Sequence, residues 1–386
     1  MGSSSAARRG QSRLLLLAVG ALLASVLLGR GEPAEASAAA LTRGLTGPMV
    51  GRTWWDTQAR REPPERVILV YGSGGMEPWT ADRLHYYVAH LTAEAAPDGW
   101  FFDTVLFLAL AGDGQRSSFC PGYGTEPARM EDWLWYLNQR LFGGFSELAE
   151  LEKAAAEAGQ ALGDRSHVVR VIIMIPYPDM RQRSFGQIDG RELDFWRTED
   201  RVAAVRWYLR EVGQRWSLSR FEHLRLAGFY WVHEEAQEGD RETLKLVSRL
   251  VGQHLVRLYW IPWYGAAGAA QWREMGFDVA IQQPNYFWYD VPPERVREAA
   301  QFAWDHRMGV EMELDRRVTR LQERRERYQV YLDSGAEQGY QWSGSVAWYD
   351  DTALIECAKS SDPEVRRVYD DTYGFARGVY PRGRQR

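Results

Sequence analysis

The chain has 386 residues, 45% of them hydrophobic, which is enough to bury a sizeable core, and a formal charge of −5 leaves no basic field for nucleic acid or anionic lipid. Aromatics reach 13%, with 17 Trp and 19 Tyr, above ordinary globular usage. Only Lys153, Lys245 and Lys359 are lysines, and none lies in a strand pattern, which excludes a Schiff-base aldolase.

Residues 1–38 read as a secretory signal. Arg8, Arg9 and Arg13 precede the apolar run Leu14–Leu28, and Ala36-Ser37-Ala38 fits an A-x-A cleavage site. An uncleaved anchor is the competing reading, but the run is short for spanning. The adjacent arginines at 8 and 9 are too loose a pattern to assign a twin-arginine route. The mature protein is expected to be secreted, periplasmic or at the cell surface, monomeric, with no membrane segment. Cys120 and Cys357 are compatible with one disulfide or two thiols, and neither sits in a metal-ligand spacing.

A polar lead-in fills 39–64. From 65 to 380, eight short apolar runs follow: Val67–Tyr71, Phe102–Ala111, Val168–Ile175, Leu224–Val232, Leu258–Ile261, Val279–Gln283, Gly309–Leu314 and Ser345–Tyr349. Between and after them, apolar residues recur at three- and four-residue spacing in Thr80–Ala95, Met130–Leu162, Thr198–Arg215, Arg241–His254, Ala267–Met275, Pro293–His306, Arg316–Gly335 and Pro363–Phe375. Eight strands alternating with eight helices predict a single (β/α)8 TIM barrel, with extended loops after strands two and three. A doubly wound sheet would carry a glycine-rich phosphate turn, and Gly72–Gly75 followed by Met-Glu-Pro-Trp makes a poor one.

In such barrels the active site gathers at the carboxyl ends of the strands. Those ends supply Tyr71, Tyr177, Trp231, His233, Glu234, Glu235, Trp263, Tyr264, Gln283, Asn285, Tyr286, Glu311, Glu313, Tyr349 and Asp350. Rings that stack on C–H faces, beside carboxylates and amides that read hydroxyls, suit a carbohydrate substrate. Glycosidic cleavage needs two carboxyl groups flanking the bond, about 5–5.5 Å apart in a retaining enzyme. The run Leu226–Glu235 ends in His233-Glu234-Glu235, and alternation in Gly309–Asp315 puts Glu311, Glu313 and Asp315 on one face. Alternation groups Glu234 with Tyr230 and Val232, and Glu235 with Trp231 and His233, but parity does not decide between them where the chain turns; Glu234 is taken as the expected acid/base. Glu313, one layer above Glu311, is the expected nucleophile. Glu235 and Glu311 stay as the alternates, and no metal or other cofactor is expected.

The motifs G-F-Y-W-x-x-E (Gly228–Glu234), Q-P-N-Y (Gln283–Tyr286) and G-V-E-M-E-x-D (Gly309–Asp315), with the early F-D-T-V-L-F-L, resemble a family of bacterial exported proteins. That family carries a label of unknown function and is grouped with glycoside-hydrolase-like barrels. The resemblance spans roughly 65–375 and implies the barrel. Retaining barrel glycosidases place their acid/base after strand four and their nucleophile on strand seven, as here. This chain departs from the Asn-Glu dipeptide of many of them: His233 precedes Glu234, so Asn285 or His233 is left to assist the sugar 2-hydroxyl. The rival function is a non-catalytic carbohydrate-binding barrel that keeps the cleft without turnover.

Overall fold

A computed structural model describes residues 65–381; the expected leader and lead-in lie outside the described residues. Eight strands carry the barrel: β1 (Glu65–Tyr71), β2 (Thr104–Leu108), β3 (Val169–Ile175), β4 (Leu224–Trp231), β5 (Arg257–Trp260), β6 (Val279–Gln282), β7 (Gly309–Glu313) and β8 (Ser345–Tyr349). Every neighbouring pair is parallel, and β8 closes on β1 with Glu65 beside Ser345 and Ile68 beside Trp348. The runs are Val/Ile/Leu-rich because both faces are covered, by helices outside and by each other within. The architecture is the (β/α)8 barrel, with long segments between β2 and the next helix and again after β3.

The helices are α1 (Ala81–Val88), α2 (Met130–Trp135), α3 (Glu147–Leu162), α4 (Thr198–Ser219), α5 (Arg241–Gln253), α6 (Glu294–His306), α7 (Gln322–Gln338), α8 (Ala353–Ala358) and α9 (Pro363–Ala376). Among the described residues, none is long and apolar enough to cross a membrane. The helix expected over Ala267–Met275 is absent. That link between β5 and β6 holds only the 3-10 turn Ala269–Gln271, because Gly265, Gly268 and Gly276 all adopt left-handed φ and leave too few residues between them for an α-helix.

Three other boundaries move for local reasons. The first helix stops at Val88, and the chain turns back as a hairpin, Ala89–Leu91 against Pro97–Trp100. The stretch expected as one helix over Met130–Leu162 breaks after a π-helical turn at Tyr136–Leu141. A side chain at Gly143 would sit 1.6 Å from the Asn138 carbonyl, so the chain leaves the helix there. It restarts where the Ser146 hydroxyl accepts from the Ala149 N–H at 3.1 Å. After β7, Arg316–Thr319 is a 3-10 turn capped by Asp315, and regular helix begins only at Gln322.

The amino ends of the strands are sealed by buried charge. Glu65 pairs with Arg257 and accepts from Tyr259 Oη at 2.9 Å, while Arg170 Nη2 reaches Asp103 Oδ1 at 2.6 Å and its Nε reaches Thr104 Oγ1 at 3.0 Å. With that end plugged, access to the interior is left to the carboxyl ends.

Candidate active site

Glu234 owes its direction to an irregularity in β4. The β4 register against β3 runs Leu226 with Val171 and then Gly228 with Ile172, so Ala227 is a bulge. Gly228 is required beside it, since a Cβ there would lie 2.3 Å from the Arg257 carbonyl. Beyond the bulge, Tyr230, Val232 and Glu234 share the inner face. The Glu234 carboxyl is packed by protein on nearly every side yet still meets solvent, as at the floor of a hollow. Burial lifts it to about 7; the charge on Glu313 adds to the rise, and a hydrogen bond from the Gln283 amide opposes it.

Glu313 sits at the end of β7, fully buried, inside a ring of donors. The backbone N–H of Asn285 donates to its Oε1 at 2.8 Å, and those of Tyr286 and Phe287 to its Oε2 at 3.1 and 3.5 Å. The Tyr331 hydroxyl of α7 donates to Oε2 as well. The three successive amides point one way because Asn285 lies at φ +48, directly after Pro284. That is a backbone nest for an anion, and Asn is among the few non-glycine residues that tolerate the left-handed region. Burial raises the Glu313 carboxyl to about 7, against the pull of Tyr331 and the amides.

Glu311 lies one layer deeper on the same face, level with the small Ala347 of β8. It is buried and has no hydrogen-bond or ion-pair partner among the described residues. Burial, Glu313 and Glu234, in that order, push its carboxyl well above the usual range. Three carboxyl groups therefore act on one another within one hollow.

Rings wall that hollow. Tyr71 and Tyr349 meet edge to face at 5.4 Å, and Trp288 meets Tyr349 at 5.2 Å and 82°. Tyr123, from the long loop after β2, is pushed upward by burial and by the charge of Glu234, as is Tyr230. Tyr289 is raised by burial, then by Glu313 and Glu234. Gln283 and Asn285 tie the two acids together: Asn285 Nδ2 donates to Gln283 Oε1 at 2.9 Å, and Asn285 Oδ1 accepts from the Tyr264 N–H at 2.7 Å.

The remaining expected residues are engaged elsewhere. Tyr177 donates to Asp240 at 3.0 Å, and the His233 ring stacks obliquely on Tyr177 at 4.4 Å with Nδ1 3.8 Å from Asp240. Asp240 pairs with Arg201, and both are fully buried. Trp231 is buried against Tyr177. Glu235 turns outward and accepts from Gln237 at 2.7 Å. The Tyr264 hydroxyl donates to Glu298 of α6 at 3.0 Å, and the Tyr286 ring lies under Arg327. Asp350 accepts from Tyr87 and from the N–H groups of Thr352 and Leu354, holding the turn before α8. Trp263 stays half-buried in the loop after β5. Both cysteines are free and buried. Among the described residues no three His, Cys, Asp or Glu side chains are placed to share a metal ion.

The sequence placed Trp288 in a strand-end loop and the loop Phe119–Thr125, with Tyr123, along the cleft, but it did not single out Tyr230, Tyr289 or Tyr331 as site residues. Inward alternation points to Tyr230; Tyr331 lies on a helix 18 residues past Glu313, where no local pattern marks it.

Residues 66–374 match the model of the family described as Domain of unknown function (DUF4855). The chain belongs to that family. No curated protein matches it. Among solved structures, this DUF4855 barrel is similar to a candidate alpha-L-fucosidase from Bacteroides thetaiotaomicron VPI-5482, with a TM-score of 0.44 and 10% identity over 82% of this chain and 95% of that one. It is also similar to a mutant tryptophan synthase alpha-subunit from Pyrococcus furiosus, with a TM-score of 0.37 and 11% identity over 82% and 98%. Likeness at this level carries no argument about chemistry, which rests on the side chains.

Proposed function

We propose that this DUF4855 barrel is a retaining O-glycoside hydrolase with Glu234 as acid/base and Glu313 as nucleophile. One observation carries the reading: two inward carboxyls from β4 and β7 act on each other, and only Glu313 is ringed by donors that favour its anion. Of the two, Glu313 is thus the better carboxylate and Glu234 the better acid. Glu234 gives its proton to the leaving oxygen as Glu313 attacks the anomeric carbon, forming a covalent glycosyl ester. Glu234, now ionised, takes a proton from water, and that water breaks the ester and restores Glu313. Tyr71, Tyr349, Trp288 and Tyr123 supply faces for the sugar rings, and Gln283 and Asn285, whose amides bond Ile261, each other and Tyr264, brace the backbone beside the two acids. The chain is proposed to act as an exported monomer, with its leader cut near residue 38; sequencing the amino terminus of the secreted protein checks the cut.

The test replaces each acid alone. Glu234→Gln and Glu313→Gln should each lose hydrolysis of aryl glycosides and polysaccharides by 10³-fold or more on the scale of a lost catalytic group, with glycan binding kept. Azide added to Glu313→Ala should yield a glycosyl azide of inverted configuration, and added to Glu234→Ala one of retained configuration. Glycan binding with no turnover in the wild type would establish the rival, a carbohydrate-binding barrel.

A further inference from the structure

The hollow is built for positive charge. Elsewhere among the described residues, buried acids are neutralised by arginine: Asp240 by Arg201, Glu147 by Arg140, Glu65 by Arg257 and Asp200 by Arg191. Asp350, the exception, takes a tyrosine hydroxyl and two amides instead. Glu311 has none of these. It is 3% exposed, faces the hollow, and meets no arginine, lysine or histidine near enough to move its titration. The same holds for Glu234. A chain with 47 basic residues has spent none of them on these two carboxyls.

An unpaired buried carboxyl is costly unless a ligand completes it. Ala347, level with Glu311 on β8, has no polar atom to offer it. The rings above add a second, independent pointer. Tyr71, Tyr349 and Trp288 stand edge to face at 75° and 82°, a corner of aromatic rings rather than a flat platform, with the Trp288 N–H held by Asp315 at 3.1 Å. Such corners hold ammonium groups, which bind over ring faces by cation–π attraction. A uronate or sulfated sugar would find no arginine, lysine or histidine acting on Glu311 or Glu234 to pair with.

We propose that the sugar bound in this hollow is a free amino sugar, its protonated amine received by Glu311 and by the corner of Tyr71, Tyr349 and Trp288. The substrate class is then a glycan with unacetylated amino groups, and Glu311 is the residue that selects it. This rests on the hydrolase reading for the hollow being the sugar site, but its test reads binding and needs no turnover.

Tryptophan fluorescence gives the binding constants of glucosamine and galactosamine tetramers and of the glucose and galactose tetramers of the same linkages. Each pair differs only in amine against hydroxyl. The wild type should prefer an amine tetramer over its partner by at least tenfold at pH 6. Glu311→Gln should abolish that preference while still binding the hydroxyl tetramer, and Glu311→Asp should keep part of it. Should both variants fail to fold, the wild-type comparison decides alone. Equal affinity within each pair, no binding of either amine tetramer, or a preference that survives Glu311→Gln overturns the proposal. Hydrolysis of the same tetramers is scored separately. Amine preference without hydrolysis sinks the catalytic reading and leaves this one; hydrolysis without amine preference does the reverse.

Discussion

The backbone N–H of Asn285 donates to Glu313 Oε1 at 2.8 Å from a residue held at φ +48. A left-handed asparagine thus sets the direction of three amides onto the carboxylate proposed to attack the sugar. A β-branched residue cannot rest there without strain, at a cost of about 1–3 kcal/mol. Asn285→Val should lose that stability and most hydrolytic activity. Asn285→Gly keeps the nest, loses the bonds to Gln283 and Tyr264, and should retain more of both. Denaturant melts and kcat/KM on one aryl glycoside check the order; valine equal to or better than glycine would refute it.

Tyr331 sets the acid limb of the same chemistry. Its hydroxyl donates to Glu313 and opposes the rise that burial causes. A hydrogen bond to a charged group is worth about 1.5–3 kcal/mol, and one pKa unit is about 1.4 kcal/mol. Tyr331→Phe should therefore move the acid limb of kcat/KM to higher pH by about 1–2 units. An unmoved limb would remove Glu313 from the role of the ionising group.

Stability should fall from pH 5 to pH 8. Burial lifts Glu234, Glu311 and Glu313 above the ordinary 4.5, and likewise Glu147 to about 7. Between about 4.5 and 7 the folded protein keeps protons that the unfolded chain has lost, so rising pH favours unfolding. Glu311→Gln removes the least compensated of these groups. By calorimetry, its Tm at pH 8 should exceed that of the wild type by about 2–4 °C per kcal/mol recovered, with a smaller difference at pH 5. A wild type that melts higher at pH 8 than at pH 5, with a variant that tracks it, would refute the account.

Arg201 and Asp240 predict the opposite kind of effect. Both are fully buried, and Tyr177 and His233 lean on the pair. Arg201→Met strands a buried carboxylate and should cost about 3–5 kcal/mol. The pH limbs of kcat/KM should not move, because no group of that cluster acts on Glu234 or Glu311. Chemical denaturation and a pH–rate profile together separate this from a catalytic role.

The barrel was legible because each strand is a short apolar run ended by a polar or turn residue, a local signal. The acids of β4 and β7 stood out for the same reason: Glu234, Glu311 and Glu313 break apolar runs where a charge needs a purpose. Alternation grouped Glu234 with Tyr230 and Val232, and all three follow the bulge, but which face the group takes was not legible without it. Distant pairings were not legible. Nothing near Tyr177 or His233 announces Arg201, and nothing near Glu313 announces Tyr331. The strand-end residues Tyr177, Tyr264 and Asp350 have side chains held by Asp240, Glu298 and Tyr87, partners far along the chain that no local pattern marks. The missing helix after β5 hid behind Ala-rich sequence whose glycines set the backbone instead.

The extra residue at Ala227 reaches further than its own turn of strand. Drawn into the ladder opposite Ile172, that alanine would push every later residue one place along β3, swinging Glu234 toward the outer helices and offering His233 and Glu235 to the interior instead. Length, at this one point, is absorbed by the backbone: a lineage that lost this codon would straighten the strand and still aim the same acid inward.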